Sequence, residues 1–203
     1  MKTLLIHLAA ACCLAAGVYA QESTIGVYVD AAGTQCTGTT SGGVVMGSIW
    51  VDLAGAAAGG FTGAEFRVDN SQRENCTVAM TADAGATIVL GDPFNLYGTN
   101  IVYDTCQTGP RVQLATFMLF ENVPSSDIWL TVTQHYQPTN AYYDCPLLTL
   151  CDGPVFTKVC VGMTDHSVHW RAVINPSTGN SAACAPVSVS NTSWSQVKGL
   201  YRG

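Results

Sequence analysis

The stretch Asp144–Gly162, DCPLLTLCDGPVFTKVCVG, holds three cysteines and two apolar runs, with an Asp152-Gly153-Pro154 turn between the runs. Short apolar runs on either side of a Gly-Pro turn read as the two strands of a hairpin. The cysteines restrict how that hairpin closes. Fully extended, Cys145 and Cys151 would stand about 20 Å apart at the rise of a strand, whereas a disulfide needs Cα atoms about 4.4–6.8 Å apart. These two can bond each other only if the segment loops back. Folding about residues 151–154 instead sets Cys145 almost opposite Cys160. That pairing is favoured, and it leaves Cys151 to a partner elsewhere, such as Cys36 or Cys184.

Nothing else in the chain conflicts with an oxidised, strand-rich body. Lys2, the apolar Leu4–Ala16 and the small-residue Val18-Tyr19-Ala20 have the order of a secretory signal peptide over residues 1–20, cleaved before Gln21. The apolar run is too short to span a bilayer, and no later run approaches the roughly 20 residues a span needs. A lipid-modified Cys12 or Cys13 is the rival reading; Ala-Ala-Ala precedes Cys12 without the Leu usual in such a box. The mature chain is therefore expected in a secreted or periplasmic setting. Of the nine cysteines, setting aside Cys12 and Cys13 leaves Cys36, Cys76, Cys106, Cys145, Cys151, Cys160 and Cys184. Behind a signal peptide these read as a disulfide framework. Their number is odd, so one is free or links two chains into a homo-oligomer. A zinc site is the competing explanation, but the mature chain contains no C-x2-C pair.

Composition narrows the partners. Charged residues make up 11% of the chain and the net charge is −6. With no basic patch, nucleic acid and anionic membrane surfaces are excluded as main partners. Gly, Thr, Val and Ala dominate, which suits strands joined by tight turns. Thr24–Asp30, Val44–Leu53, Ala64–Asp69, Thr77–Met80, Thr87–Leu90 and Ile101–Tyr103 read as strands, and Thr37–Gly43 as a polar loop. Arg111–Phe120, RVQLATFMLF, is the most apolar mature run and reads as a central strand buried on both faces. Asp127–His135 alternates most clearly: Ile128, Leu130 and Val132 point one way, and Trp129, Thr131, Thr133 and His135 the other. Ser167–Ile174 supplies a last strand. Many short strands at even spacing predict an all-β, two-sheet antiparallel β-sandwich over residues 21–190. The tail, residues 191–203, reads as a short C-terminal helix capped at Thr192-Ser193, with Trp194, Val197 and Tyr201 at helical spacing and docking on the sandwich.

Candidate chemistry is sparse. His166 and His169 lie three apart, which on a strand puts them on opposite faces, so they do not share a metal. There is no G-x-S-x-G elbow. A carboxylate pair for sugar hydrolysis would have to draw on Glu65, Glu121 or scattered aspartates, and Glu65 reads as a solvated side chain on an outward strand face. Asp69–Glu74 gathers oxygen ligands but lacks the glycine and terminal glutamate of a calcium loop. No metal and no cofactor is expected. The most suggestive feature is Trp129 among Thr131, Thr133 and His135, with Trp50 sharing that environment. Such a surface suits stacking on a sugar ring or anchoring a protein partner. The alternative is that the C-terminal helix covers this face and the tryptophans belong to the core.

Four segments carry a resemblance: IGVYVDAAGTQC (25–36), GFTGAEFRV (60–68), CPLLTLCDGPVFTKVCV (145–161) and TSWSQVKGLYR (192–202). Together they resemble a group of exported bacterial proteins to which no activity attaches. More loosely, the strand pattern resembles cohesin-type sandwiches, in which a strand shaped like GAEFRV follows a Gly-rich turn. That resemblance implies an Ig-like or jelly-roll-like sandwich with a binding or scaffolding role. Sequence reasoning thus points to a secreted, non-catalytic sandwich for adhesion, scaffolding or assembly. A glycan-binding module using Trp129 and Trp50 comes second, and a hydrolase third.

Overall fold

A computed structural model describes residues 23–139, 144–152, 157–161 and 171–178. The expected signal peptide, the expected turn at Gly153-Pro154, His166, His169, Cys184 and the expected C-terminal helix at 191–203 lie outside the described residues. Twelve strands follow in chain order: β1 (Thr24–Tyr28), β2 (Thr37–Gly38), β3 (Val44–Asp52), β4 (Phe61–Asn70), β5 (Cys76–Ala82), β6 (Ile88–Asp92), β7 (Gly98–Gln107), β8 (Arg111–Glu121), β9 (Ile128–Thr133), β10 (Leu147–Leu150), β11 (Lys158–Cys160) and β12 (Arg171–Ile174). They form a β-sandwich of two sheets. The smaller is four-stranded in the order β1-β3-β8-β5. The larger is eight-stranded: β11-β10-β4-β9-β12-β2, with β7 beside β4 and β6 beside β7. Every pairing is antiparallel except that of β12 with the short β2, which falls within the predicted Thr37–Gly43 loop.

Period-two alternation builds the core. From the small sheet, Ile25, Val27, Ile49, Val51, Phe117 and Leu119 turn inward; from the large sheet come Phe66, Val68, Ile101, Leu130 and Val132, all in one buried cluster. Each such side chain contributes about 1.5–3 kcal/mol by leaving water. Gly47 is a requirement of this packing. It faces Phe117 across the β3–β8 ladder, and a Cβ there would stand 2.2 Å from the Phe117 ring.

The hairpin of the opening stretch is present, with Leu147 opposite Cys160 and Thr149 opposite Lys158. A disulfide joins Cys145 to Cys160 with Cα atoms 5.6 Å apart. Cys151 bonds neither Cys36 nor Cys184 but Cys106, at a Cα separation of 5.7 Å. The reason is the ladder: Phe61 on β4 pairs with both Leu150 and Gln107, which brings the two cysteines beside it together. Cys36 is also disulfide-bonded.

Arg111–Phe120 is central, between β3 and β5, but it is not buried on both faces. Phe117 and Leu119 point into the core, while Met118 and Phe120 are 41% and 37% exposed on the outer face. No described segment lies over them.

Candidate functional site

The ladders of β3, β8 and β5 fix what the outer face of the four-stranded sheet displays. Val44, Phe120 and Thr77 form one cross-strand row; Met46, Met118 and Ala79 form the next; Ser48, Thr116 and Thr81 the third. Met46 is 60% exposed. Two methionines and a phenylalanine therefore sit side by side in water, with exposed Thr77 and Thr81 along one rim. Methionine is polarizable and conformationally adaptable, so such a surface can mould itself to a partner's side chains.

Toward its other end the same face carries an aromatic–arginine stack. The Arg111 guanidinium lies 4.8 Å from the Tyr28 ring centroid and 4.9 Å from that of Trp50, an arrangement stabilised by the ring quadrupoles. Asp52 stands 3.2 Å from Arg111 Nε, an ion pair without hydrogen-bond alignment. Arg111 also donates to the Gly33 carbonyl, and Trp50 Nε1 donates to the Ser48 hydroxyl at 2.9 Å. Gly33 adopts φ +67°, and a side chain there would collide with the Trp50 indole. Burial raises the Asp52 pKa, with Arg111 opposing it.

This geometry corrects the grouping of the tryptophans. Trp50 belongs to β3 in the four-stranded sheet and Trp129 to β9 in the eight-stranded one. Both point outward, so they occupy opposite sides of the sandwich and share no site. Trp129, Thr131 and Thr133 do line one outer row of β9, each half-buried. His135 follows just beyond the strand. The Arg171 guanidinium lies 5.9 Å from the Trp129 ring centroid. Arg67 bridges to Asp69 at 2.9 Å and donates to the Thr133 hydroxyl at 3.3 Å. The His135 ring Nδ1 contacts the backbone of Gln137. Beside this row, Tyr97 and Tyr136 are 55% and 56% exposed and meet edge to face at 5.7 Å. Sequence reasoning missed Met46, Met118, Phe120, Tyr97 and Tyr136. Met46 shares its strand phase with Ser48, Trp50 and Asp52, which was an available signal; Met118 and Phe120 share theirs with Val112, Leu114 and Thr116, which gave none.

Glu65 corrects a second expectation. It faces outward, as alternation requires, yet is only 3% exposed. The Thr139 backbone N–H donates to Oε1 at 2.8 Å and the Thr139 hydroxyl to Oε2 at 2.6 Å. Lys158 Nζ lies 3.0 Å from Oε2. Burial alone would raise the Glu65 pKa, but the two Thr139 hydrogen bonds and Lys158 outweigh it and hold the carboxylate below its ordinary range. Glu121 is held low as well, by hydrogen bonds from the Ser125 backbone, the Thr40 hydroxyl and the Asn175 amide. Asp69 and Asn70 end β4, and Asn70 accepts from the Gln72 backbone at 2.8 Å as the chain turns into a 3-10 helix at Arg73–Asn75.

The unpaired thiol among the described residues is Cys76, and it is buried. Burial raises its pKa, against a hydrogen bond from Asn70. A disulfide between two copies through Cys76 would require opening the end of β5. Of the two readings of the odd cysteine, free or linking two chains, Cys76 stands as a free, buried thiol within this chain.

No protein-family model matches the chain, and no curated protein matches it. Solved structures are similar to it in fold, cohesin modules among them. The cohesin module of a family 33 glycoside hydrolase from Clostridium perfringens superposes with a TM-score of 0.51 at 10% identity, covering 77% of this chain and 98% of that one. The seventh type I cohesin of ScaB from Pseudobacteroides cellulosolvens gives a TM-score of 0.50 at 9% identity, over 82% of this chain and 96% of the other. The protein is thus a cohesin-like β-sandwich, and the likeness is one of fold.

Proposed function

We propose that this chain is a non-catalytic, exported binding module that docks a protein partner on the outer face of its four-stranded sheet, in a scaffolding or assembly role. The observation that carries this reading is the contiguous, exposed Met46–Met118–Phe120 surface. Methionine and aromatic residues are enriched at protein interfaces, and an apolar centre with a polar rim is the anatomy of such a contact. At one end, Arg111 stacked between Tyr28 and Trp50 adds residue types that recur as binding hot spots. The partner would present aliphatic or aromatic side chains to the methionines. Disulfides at Cys106–Cys151 and Cys145–Cys160 support export.

Chemistry on substrate is disfavoured by the state of the two glutamates. A general acid needs a raised pKa, and Glu65 and Glu121 are both held low by hydrogen bonds already made. Among the described residues, one hollow of about 220 Å³, between Ala54–Ala57 and the Val159–Cys160 edge, has no charged side chain in its lining.

A photo-crosslinking residue in place of Met118, in the protein exported by its host, is expected to trap a discrete protein adduct; the same residue in place of Trp129 is not. Adding Met46→Glu with Phe120→Ser should remove the adduct, and an adduct that survives both overturns this reading. Glycan binding is the second reading. The exposed Tyr97–Tyr136 pair favours it over Trp129 as the stacking surface, and loss of glycan-array binding in Tyr136→Ala would establish it.

A further inference from the structure

Strand β6 is the outermost strand of the eight-stranded sheet on the β7 side. It pairs antiparallel with β7, Ile88 opposite Val102 and Leu90 opposite Asn100, and among the described residues with no other strand. Its other edge offers unpaired backbone groups, and its side chains are in water: Ile88 is 49% exposed, Val89 37% and Leu90 61%, with Val102 beside them at 38%. Exposed edges are ordinarily defended by a charge, a proline, a bulge or a covering segment, because an open edge templates another strand. Among the described residues, none of these protects Ala86–Gly91. The first charge is Asp92 and the first proline Pro93, both at the strand's end.

We propose that this edge pairs with the same edge of a second copy of the chain. The two β6 strands would run antiparallel about a two-fold axis through Val89, joining two eight-stranded sheets into one. The strand's own sequence points to a second copy as the occupant. In this register Ile88 faces the partner's Leu90, Thr87 its Gly91, and Ala86 its Asp92. Apolar side chains meet apolar side chains at both ends of the axis, and no like charges come opposite. The patch is therefore self-complementary, as a two-fold interface must be. The chain carries a net charge of −6, so two copies repel at a distance, and a neutral strip is where they can approach. The dimer should accordingly tighten as salt screens that repulsion. This contact belongs to the opposite sheet from the Met46–Met118 surface, so the dimer leaves that face open and would display it twice. A short strand pair buries less than a standard interface, which places the dimer among weak, reversible associations.

Sedimentation velocity of the signal-free protein with its disulfides intact, from about 10 μM to about 1 mM, the range of weak associations, is expected to show a concentration-dependent dimer that strengthens with salt. Ile88→Lys combined with Leu90→Lys places like charges opposite each other twice and should weaken dimerisation by about tenfold or more. Ile88→Lys combined with Leu90→Glu places opposite charges in the same positions and should restore it. Both pairs of substitutions lie on exposed side chains, and circular dichroism checks that each variant is folded. A monomer at every concentration overturns the proposal and leaves the edge to a foreign strand. A dimer insensitive to the double lysine variant overturns it, as does equal loss in both variants.

Discussion

Lys158 holds its ammonium 3.0 Å from the carboxylate of Glu65, on an outer sheet face where alternation alone would leave both in water. Thr139 closes over the pair, donating twice to Glu65 and accepting from Lys158. The segment leaves the sheet after Thr133, opposite Arg67, and returns at Leu147, opposite Glu65. Glu65 thus ties that excursion down at the point where β4 changes partner.

Replacing Glu65 by glutamine should cost about 3 kcal/mol, the scale for breaking a buried ion pair by removing one partner. Lys158→Met alone should also destabilise. The double variant should lose less than the sum of the singles, because the second change removes a charge the first left unpaired. Urea denaturation with the disulfides intact measures all three. Strict additivity would mean the two groups are not coupled.

The pH dependence of stability follows from the direction of the carboxylate shifts. Asp30, Glu65 and Glu121 all titrate lower in the folded chain than their ordinary values. A group depressed on folding contributes stability above its unfolded pKa and loses it as pH falls through its folded pKa. Asp52 has the opposite sign, since burial raises it. Three depressed groups against one raised group predict falling stability as the pH drops from about 5 toward 3. Glu65→Gln should flatten that fall, and a profile of unchanged slope would remove Glu65 from the account.

The hairpin and the β9 alternation were legible in the sequence because both are local. Ile128, Leu130 and Val132 are buried where period two places them, and the fold about residues 151–154 needs only strand geometry to oppose Cys145 and Cys160. What was illegible depended on distant chain. In RVQLATFMLF both phases are apolar, and whether the outer phase is covered depends on segments elsewhere; here Met118 and Phe120 stay open. Glu65 is buried by Thr139, a residue 74 positions away. Trp50 and Trp129 share an outward phase, but phase says nothing of which sheet a strand joins. The partner of Cys151 is 45 residues distant in Cys106 and becomes its neighbour only through β4.

Cys76 should be inert in the native protein. The thiolate is the reactive form, and burial raises the thiol's pKa while shielding it. Iodoacetamide is expected to leave Cys76 unmodified until guanidinium unfolds the chain, and a non-reducing gel of the native protein should show no disulfide-linked dimer. Cys76→Ala should leave the non-covalent association at β6 unchanged. A native covalent dimer lost in Cys76→Ala would reverse this.

The two described disulfides should differ in their effect on stability because they close loops of different size. Cys145–Cys160 spans a separation of 15 residues and Cys106–Cys151 one of 45. In the chain-entropy account these restrict the unfolded chain by about 3 and about 4 kcal/mol respectively. Cys106→Ala with Cys151→Ala should therefore lower unfolding stability more than Cys145→Ala with Cys160→Ala. The larger loop also joins β7 to the end of β10, so its loss should free the far side of the large sheet. Hydrogen exchange should then accelerate in β6 and β7 while β3 and β8 stay protected. Equal losses, or faster exchange spread evenly through both sheets, would show that native packing rather than loop closure dominates.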